Sequence, residues 1–495
     1  YSMNKNSEDK INHLLYMDDL KLYGKTKEEL ESLVETVRIF TDDVRMRFGL
    51  QKCATLTMKR GKKVEDVGII LPDNEMMKDL ADEDYKYLGV LEACDIKMDK
   101  MKATLTKEYK RRLTLLLKSR LNSGNMVRAI NTWAVAVLRY PAGILRWTKE
   151  EMRNMDRKTR KMMTMNGMLH PRANVSRLYL PRDEGGRGLI SIEQTIETEE
   201  HGLSDYVKKT EKGYNRLLKA MEKEKSRKEY SENIMEERTK DWKEKPLHGQ
   251  YPRLVADADN KKTYLWIKNG YMKKETEGML TAAQDQALPT RWRKKHIEKQ
   301  IETSLCRLCG EREETTFHIL SECGKIAPTE YKKRHDGVAK IVHWNLSRQC
   351  GFKTSKKWYD HQTETVIENE KAKILWDMSI QTDHVIQARR PDIIMKDKEL
   401  DHTWLIDIAV PGDGRVKDKE KEKVEKYQDL ARELRKIWKT SVTVVPIVVG
   451  ALGAVQNLEE ELIKLNVDKR EIPKVQFAAL LGSARILRKV LDLPG

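Results

Sequence analysis

The chain has 495 residues, enough for roughly three or four domains at about 100–200 residues each. Apolar residues make up 39 % and charged residues 35 %, which suits globular domains joined by charged helices. The net charge of +17 favours a polyanionic partner, nucleic acid before membrane.

The first ten residues, "YSMNKNSEDK", contain no signal-peptide core. The longest apolar run, 441–455, is shorter than the about 20 residues a membrane helix needs. An intracellular protein with no membrane partner and no small-molecule cofactor is therefore expected. The chain opens on Tyr1 rather than Met, so a longer reading frame is expected upstream. Six cysteines in a chain of this length do not make a disulfide scaffold, but three of them cluster.

"HLLYMDD" and "LKLYG" predict a strand, turn, strand unit with Asp18 and Asp19 between two buried apolar runs. A tight turn of this kind holds two carboxylates rigidly, as divalent-metal chemistry on phosphates needs. The next stretch predicts one helix, N-capped by Thr26 with Glu29 three residues on and stopped at Gly49. "YKYLGV" (85–90) predicts a short strand. From about 96 to 170 the chain is basic and helical, and 170–193 is a Gly- and Pro-rich structured turn region. Residues 200–245 predict a solvated charged helix or linker. "TRWRKKHIEKQ" suits a phosphate-contacting surface through Arg291 and Arg293, or an exposed helix face.

"CRLCGEREETTFHILSEC" sets Cys306, Cys309, His318 and Cys323 in C-x2-C-x8-H-x4-C spacing. Thiolates with one imidazole suit tetrahedral Zn²⁺, and a closed four-ligand site is structural. Knuckles of this kind contact nucleic acid. "EYKKRHDGVAKIVHWNL" predicts an amphipathic helix buried through Val338, Ile341 and Leu346, with His335 on its surface.

"RRPDIIMKD" and "HTWLIDIAV" predict two strands. In the second, Trp404, Ile406, Ile408 and Val410 face one way, and Leu405, Asp407 and Ala409 the other. Burying Asp407 mid-strand is costly unless it is paired or binds a cation. Asp392 and Asp407 on a strand hairpin could share a Mg²⁺. A single long helix is predicted next, buried through Val424, Tyr427, Ala431, Leu434 and Trp438. Lys423 and Lys426 flank that stripe, and either can serve the site. The apolar strand "SVTVVPIVVG" follows.

Taken together, these motifs resemble, in order, the C-terminal part of a non-LTR retrotransposon reverse transcriptase polyprotein. "LLYMDD" resembles the Y-x-D-D palm motif, Lys52 falls near the basic position after the palm helix, and "YLG" resembles the primer grip. The "RPDI…IDIAVPGD" block resembles a restriction-like PD-(D/E)xK endonuclease. Ala409 stands where that pattern usually has lysine, and the "KVEKY" run on the following helix takes its place. The implied fold class is multidomain α/β. It comprises a partial palm (1–95), a helical thumb (96–195), a charged helical linker (196–300), a CCHC knuckle with the following helix (301–350) and an α/β restriction-endonuclease-like core (351–495).

The resemblance implies DNA and RNA as partners, a nuclear location and target-primed reverse transcription. It assigns Asp18, Asp19, Asp392, Asp407, Lys423 and Lys426 as catalytic, with the four aspartates holding Mg²⁺. Lys52, Arg291, Arg293, Arg334 and His335 would contact nucleic acid. Only fifteen residues precede Tyr16, and Glu8 and Asp9 lie in a polar stretch. Polymerase activity is thus expected only if missing palm and fingers are supplied. The alternative is an inactive or co-opted zinc-knuckle protein that binds nucleic acid without cutting it.

Overall fold

A computed structural model describes residues 11–72, 74–80, 84–209, 233–383 and 385–493. Glu8, Asp9 and the middle of the 196–300 segment lie outside them. The chain divides into two compact units. One takes Tyr1–Thr114, Thr132–Arg157 and Ser191–Glu232, the other Leu115–Asn131, Lys158–Ile190 and Asn233–Gly495. These units do not follow the five consecutive segments read from the sequence: 96–195 is shared out, and the knuckle and the last 145 residues fall together.

In the first unit, β1 (His13–Tyr16) and β2 (Asp19–Leu22) form a two-stranded antiparallel ribbon. The burial expected of β1 is not found: Leu15 is 63 % and Tyr16 59 % exposed. Helix α1 (Lys27–Asp43) starts as predicted. The Thr26 hydroxyl accepts from the Glu29 amide at 3.3 Å and the Glu29 carboxylate accepts from the Lys25 amide at 2.6 Å, a reciprocal cap. It stops well before Gly49, because Arg45 adopts a left-handed φ of +58° and breaks the ladder. "YKYLGV" is not one strand. It splits into β3 (Tyr85–Tyr87) and β4 (Val90–Glu92), with positive φ at Leu88 and Gly89 turning the chain back. Val34, Ile69, Leu71 and Met77 form a small core here.

In the second unit, residues 233–300 are not a solvated linker. Trp242 and Trp266 are fully buried among a charged sequence, and Tyr251 and Leu280 join them in one core. Large aromatic anchors outweigh the surrounding charges. The turn region before them is structured, as expected. Arg177 pairs with Asp285 at 2.8 Å, and Arg187 and Arg182 with the buried Glu277.

The short helices α2 (Arg291–His296) and α3 (Thr316–Ser321) lead into α4 (Lys332–Gln349), whose Val338, Ile341 and Leu346 are all buried as predicted. A five-stranded sheet follows, from β5 (Val366–Glu368), β6 (Ala372–Trp376), β7 (Ile393–Asp397), β8 (His402–Ala409) and β9 (Ser441–Val448), in the order β9-β8-β7-β6-β5. Only β8 and β9 are parallel, and they need a crossover. The predicted long helix supplies it, but as two pieces, α5 (Val416–Lys426) and α6 (Gln428–Trp438), broken at Tyr427. Pro446 sits in β9, an edge strand, where its missing N–H is tolerated.

The period of two read in β8 holds. Ile406 and Ile408 pack with Val338, Val342 and the C-terminal helix α7 (Ile472–Leu491) on one face of the sheet. Leu405 packs with Tyr427, Leu430, Ala431 and Leu434 on the other. Helices thus cover both faces, and β8, between β9 and β7, points Asp407 towards α5 and α6.

Candidate functional site

The knuckle is built by local rules. Thr315 caps α3 by accepting from the His318 amide at 3.0 Å, which sets His318 in the first turn. The Cys306 amide bonds to the Arg312 carbonyl at 2.7 Å, and Gly310, at φ +70° directly after Cys309, closes the turn with its amide on the Cys306 carbonyl at 2.9 Å. The ligand atoms of Cys306, Cys309, His318 and Cys323 all lie within 4.8 Å of one another. Cys306 Sγ and Cys323 Sγ are 4.0 Å apart, and Cys309 Sγ is 3.4 Å from His318 Nε2. Tetrahedral zinc with bonds of about 2.3 Å to sulfur sets ligand atoms about 3.8 Å apart. The four residues therefore fit a metal such as zinc.

A buried ion pair anchors this turn. Glu314 is fully buried and takes Arg307 on both oxygens, at 2.7 and 2.8 Å, plus the amides of Arg307 and Arg291. Burial alone would raise its pKa, but Arg307 and the two amides outweigh it and lower it. Arg307 also donates to the Val490 carbonyl at 3.0 Å, tying the knuckle to α7. Cys306, Cys323, Ile319 and Leu320 share a core with Val448, Leu452, Ala484 and Leu487.

The second cluster forms on the sheet. The β7–β8 register pairs Ile393 with Ile406, so Asp392 and Asp407 stand one step beyond, side by side. The Ile408 amide donates to Asp392 Oδ2 at 2.6 Å. Asp407 is 2 % exposed. The Tyr427 hydroxyl lies 2.6 Å from Asp407 Oδ1 and 3.1 Å from the Arg390 carbonyl. Burial, then the Asp407 charge, raise the tyrosine pKa. Lys423 Nζ is in ion-pair contact with Asp407 Oδ2, yet that oxygen has no aligned hydrogen bond. Lys426 Nζ stays 3.9 Å from Asp407 Oδ1, bonded to the Tyr427 hydroxyl and more exposed. Of the two lysines left open by the sequence, Lys423 is the one seated on the carboxylate.

His335 is not a free surface histidine. Its Nε2 lies 3.1 Å from Asp392 Oδ2 and its Nδ1 3.1 Å from Asp336 Oδ1. Burial opposes its protonation, but the two carboxylates outweigh that and raise its pKa to about 10. Burial likewise pushes Asp392 up, while His335, the Ile408 amide and Lys423 hold it below the usual carboxylate value.

Other predicted contacts divide. Lys52 is exposed on a 3-10 turn, and Arg291 is partly exposed, with Nη1 3.3 Å from the Leu305 carbonyl. Arg293 and Arg334 are buried and spent internally, so neither presents a free guanidinium to a nucleic acid. Arg293 pairs with Glu298 and donates to the Gln286 carbonyl. Arg334 donates to Ser483 and to the Val410 carbonyl. Asp18 and Asp19 are exposed beside Met17, whose φ is +54°. Among the described residues no further acidic group joins them in a metal-holding cluster.

Sequence reasoning assigned Tyr427 only to packing and gave Asp336 no role. A tyrosine four residues after Lys423 on a buried stripe was itself a signal, since a buried hydroxyl needs a partner. Comparison with known proteins finds no matching family model and no matching curated protein. Among the described residues no helix is long and apolar enough to cross a membrane.

Proposed function

We propose that this chain is a retrotransposon-derived nucleic-acid-binding protein whose second unit nicks DNA by Mg²⁺-dependent phosphodiester hydrolysis. The observation that carries this reading is the pairing of Asp392 and Asp407 across adjacent strands, with Lys423 seated on the buried carboxylate. A buried carboxylate of this kind is expensive unless it is paired or binds a cation, and Lys423 and Tyr427 supply the pairing here. The order of motifs along the chain supports the same reading.

Asp392 and Asp407 would hold the divalent ion, and their hard oxygens suit magnesium. When bound, that ion supplies charge neutralisation at the scissile phosphate. Lys423, beside Asp407, would orient a water or stabilise the negative charge on the phosphoryl oxygens. Hydrolysis adds the water oxygen to phosphorus, breaks the P–O3′ bond and passes a proton to the leaving 3′ oxygen. The 3′ hydroxyl released is what target-primed reverse transcription extends. The zinc knuckle would be structural and would contact nucleic acid, which fits a nuclear protein that binds both DNA and RNA.

The rival reading is a co-opted protein that binds without cutting, and among the described residues neither Asp18 and Asp19 nor Asp392 and Asp407 belong to a group of three metal-ligating side chains. A polymerase would need palm and fingers from elsewhere. The test is nicking of supercoiled plasmid by the purified full chain with Mg²⁺. Asp407→Ala is expected to reduce nicking to background while salt-dependent DNA binding persists. Equal nicking by wild type and variant refutes the assignment, and binding without any nicking supports the rival.

A further inference from the structure

We infer that His335 is a positioning residue that orients Asp392 towards a divalent cation, with Asp336 bracing the imidazole from its other side. The inference deepens the nuclease reading and rests on it for the identity of the ligand.

Asp392 precedes β7 directly, and its side chain is 20 % exposed. A carboxylate at the mouth of a strand rotates unless something holds it. Two donors do so here, the His335 Nε2 at 3.1 Å and the Ile408 amide at 2.6 Å, and both reach the same oxygen, Oδ2. Among the described residues Oδ1 has no hydrogen-bond donor. One oxygen is fixed and the other is presented.

Asp407 differs: the Tyr427 hydroxyl holds Oδ1, and the Lys423 ammonium sits in ion-pair contact on Oδ2. The amide that holds Asp392 belongs to the residue next to Asp407, so the two carboxylates are set by one strand segment.

His335 can act as a fixed point because its helix is immobilised on both sides of it. Arg334 is bonded to Ser483 and to the Val410 carbonyl, and Val338 and Ile341 are in the core. Asp336 occupies Nδ1, so the ring cannot flip without losing a bond. Outer partners of metal-binding carboxylates typically change metal affinity by about 10–100-fold when removed.

The test uses the zinc-loaded full chain. Mn²⁺ binding is measured by electron paramagnetic resonance on wild type, His335→Ala and His335→Gln, with Asp407→Asn marking the signal from this site. Nicking is titrated with Mg²⁺ in parallel, and DNA affinity and thermal midpoint are recorded. His335→Ala is expected to weaken Mn²⁺ about tenfold or more and to move the Mg²⁺ half-saturation of nicking by the same factor. DNA affinity should stay near wild type, while the thermal midpoint is expected to fall because Asp336 and Asp392 lose their shared partner. His335→Gln, whose amide can still donate to Asp392, is expected to recover most of the loss.

An unchanged Mn²⁺ affinity in His335→Ala overturns the inference, as does a loss of DNA affinity with an unchanged metal titration. Wild type that binds Mn²⁺ but does not nick removes the nuclease reading, while the affinity comparison still decides the role of His335. Wild type that binds no Mn²⁺ at this site overturns both.

Discussion

Lys423 and Lys426 lie three residues apart on one helix, yet the structure gives them very different weight, and a double-mutant cycle reads the difference. Lys423 Nζ contacts an Asp407 oxygen, and the two side chains are 16 % and 3 % exposed. Lys426 Nζ is 3.9 Å away and its side chain is 42 % exposed. Removing one partner of a buried pair costs about 3–5 kcal/mol, because the other charge is left in a poor solvent. An exposed pair is worth about 0–1 kcal/mol. Discounting Lys423 for its residual exposure, its coupling to Asp407 should be about 2–4 kcal/mol, and that of Lys426 under about 1 kcal/mol. Lys→Met keeps the aliphatic stem packed and removes only the charge. The cycles combine Lys423→Met or Lys426→Met with Asp407→Asn in metal-free protein. Native-state hydrogen exchange at the β8 amides reports the local stability. Equal couplings, or a larger one for Lys426, would show that the seating of Lys423 on Asp407 is not what compensates the buried charge.

Two further outcomes are expected. One zinc should bind per chain, and chelating it should lower the thermal midpoint and expose β9 and α7 to protease, since Cys306 and Cys323 share a core with Val448 and Leu487; apoprotein with unchanged protease resistance would refute the shared core. The buried His343 lies 2.8 Å from His361, and burial, then that neighbour, hold its pKa down at about 4 against 6.5. A folded-state pKa below the unfolded value gives stability that is complete above pH 6.5 and lost as pH falls towards 4, amounting to about 3 kcal/mol at 1.36 kcal/mol per unit. Unfolding at pH 7.5 and 4.5 should therefore differ more in wild type than in His343→Gln, and an identical acid limb in both would refute the assignment.

What was legible in the sequence was periodic. The alternation in β8, the buried stripe of α4 and the cysteine spacing all follow from residue types at fixed intervals, and the structure has them where they were read. What was not legible depends on neighbours distant in sequence. Arg293 and Arg334 look like phosphate contacts in a basic run, yet Glu298, Gln286, Ser483 and Val410 claim their guanidinium groups. Residues 233–300 look solvated because charge is counted per residue, whereas burial is decided by a few large side chains such as Trp242 and Trp266. The break at Tyr427 was hidden for a related reason. A continuous apolar stripe predicts one helix, but the helix is interrupted at Tyr427, whose hydroxyl donates to Asp407.

The two aspartate pairs of this chain differ in how the fold holds them. Asp18 and Asp19 are adjacent in sequence, exposed on a two-stranded ribbon, and among the described residues no further acid gathers to them. Asp392 and Asp407 are fifteen positions apart in number, and the β7–β8 register makes them neighbours. The sheet brings the Ile408 amide, α4 brings His335, α5 brings Lys423, and the α5–α6 break brings Tyr427. Groups that bind a cation must be held before it arrives, because ordering them on binding costs affinity. Charge density alone would favour the adjacent pair. Preorganisation favours the distant one, and it places the weight of the proposed chemistry in the second unit.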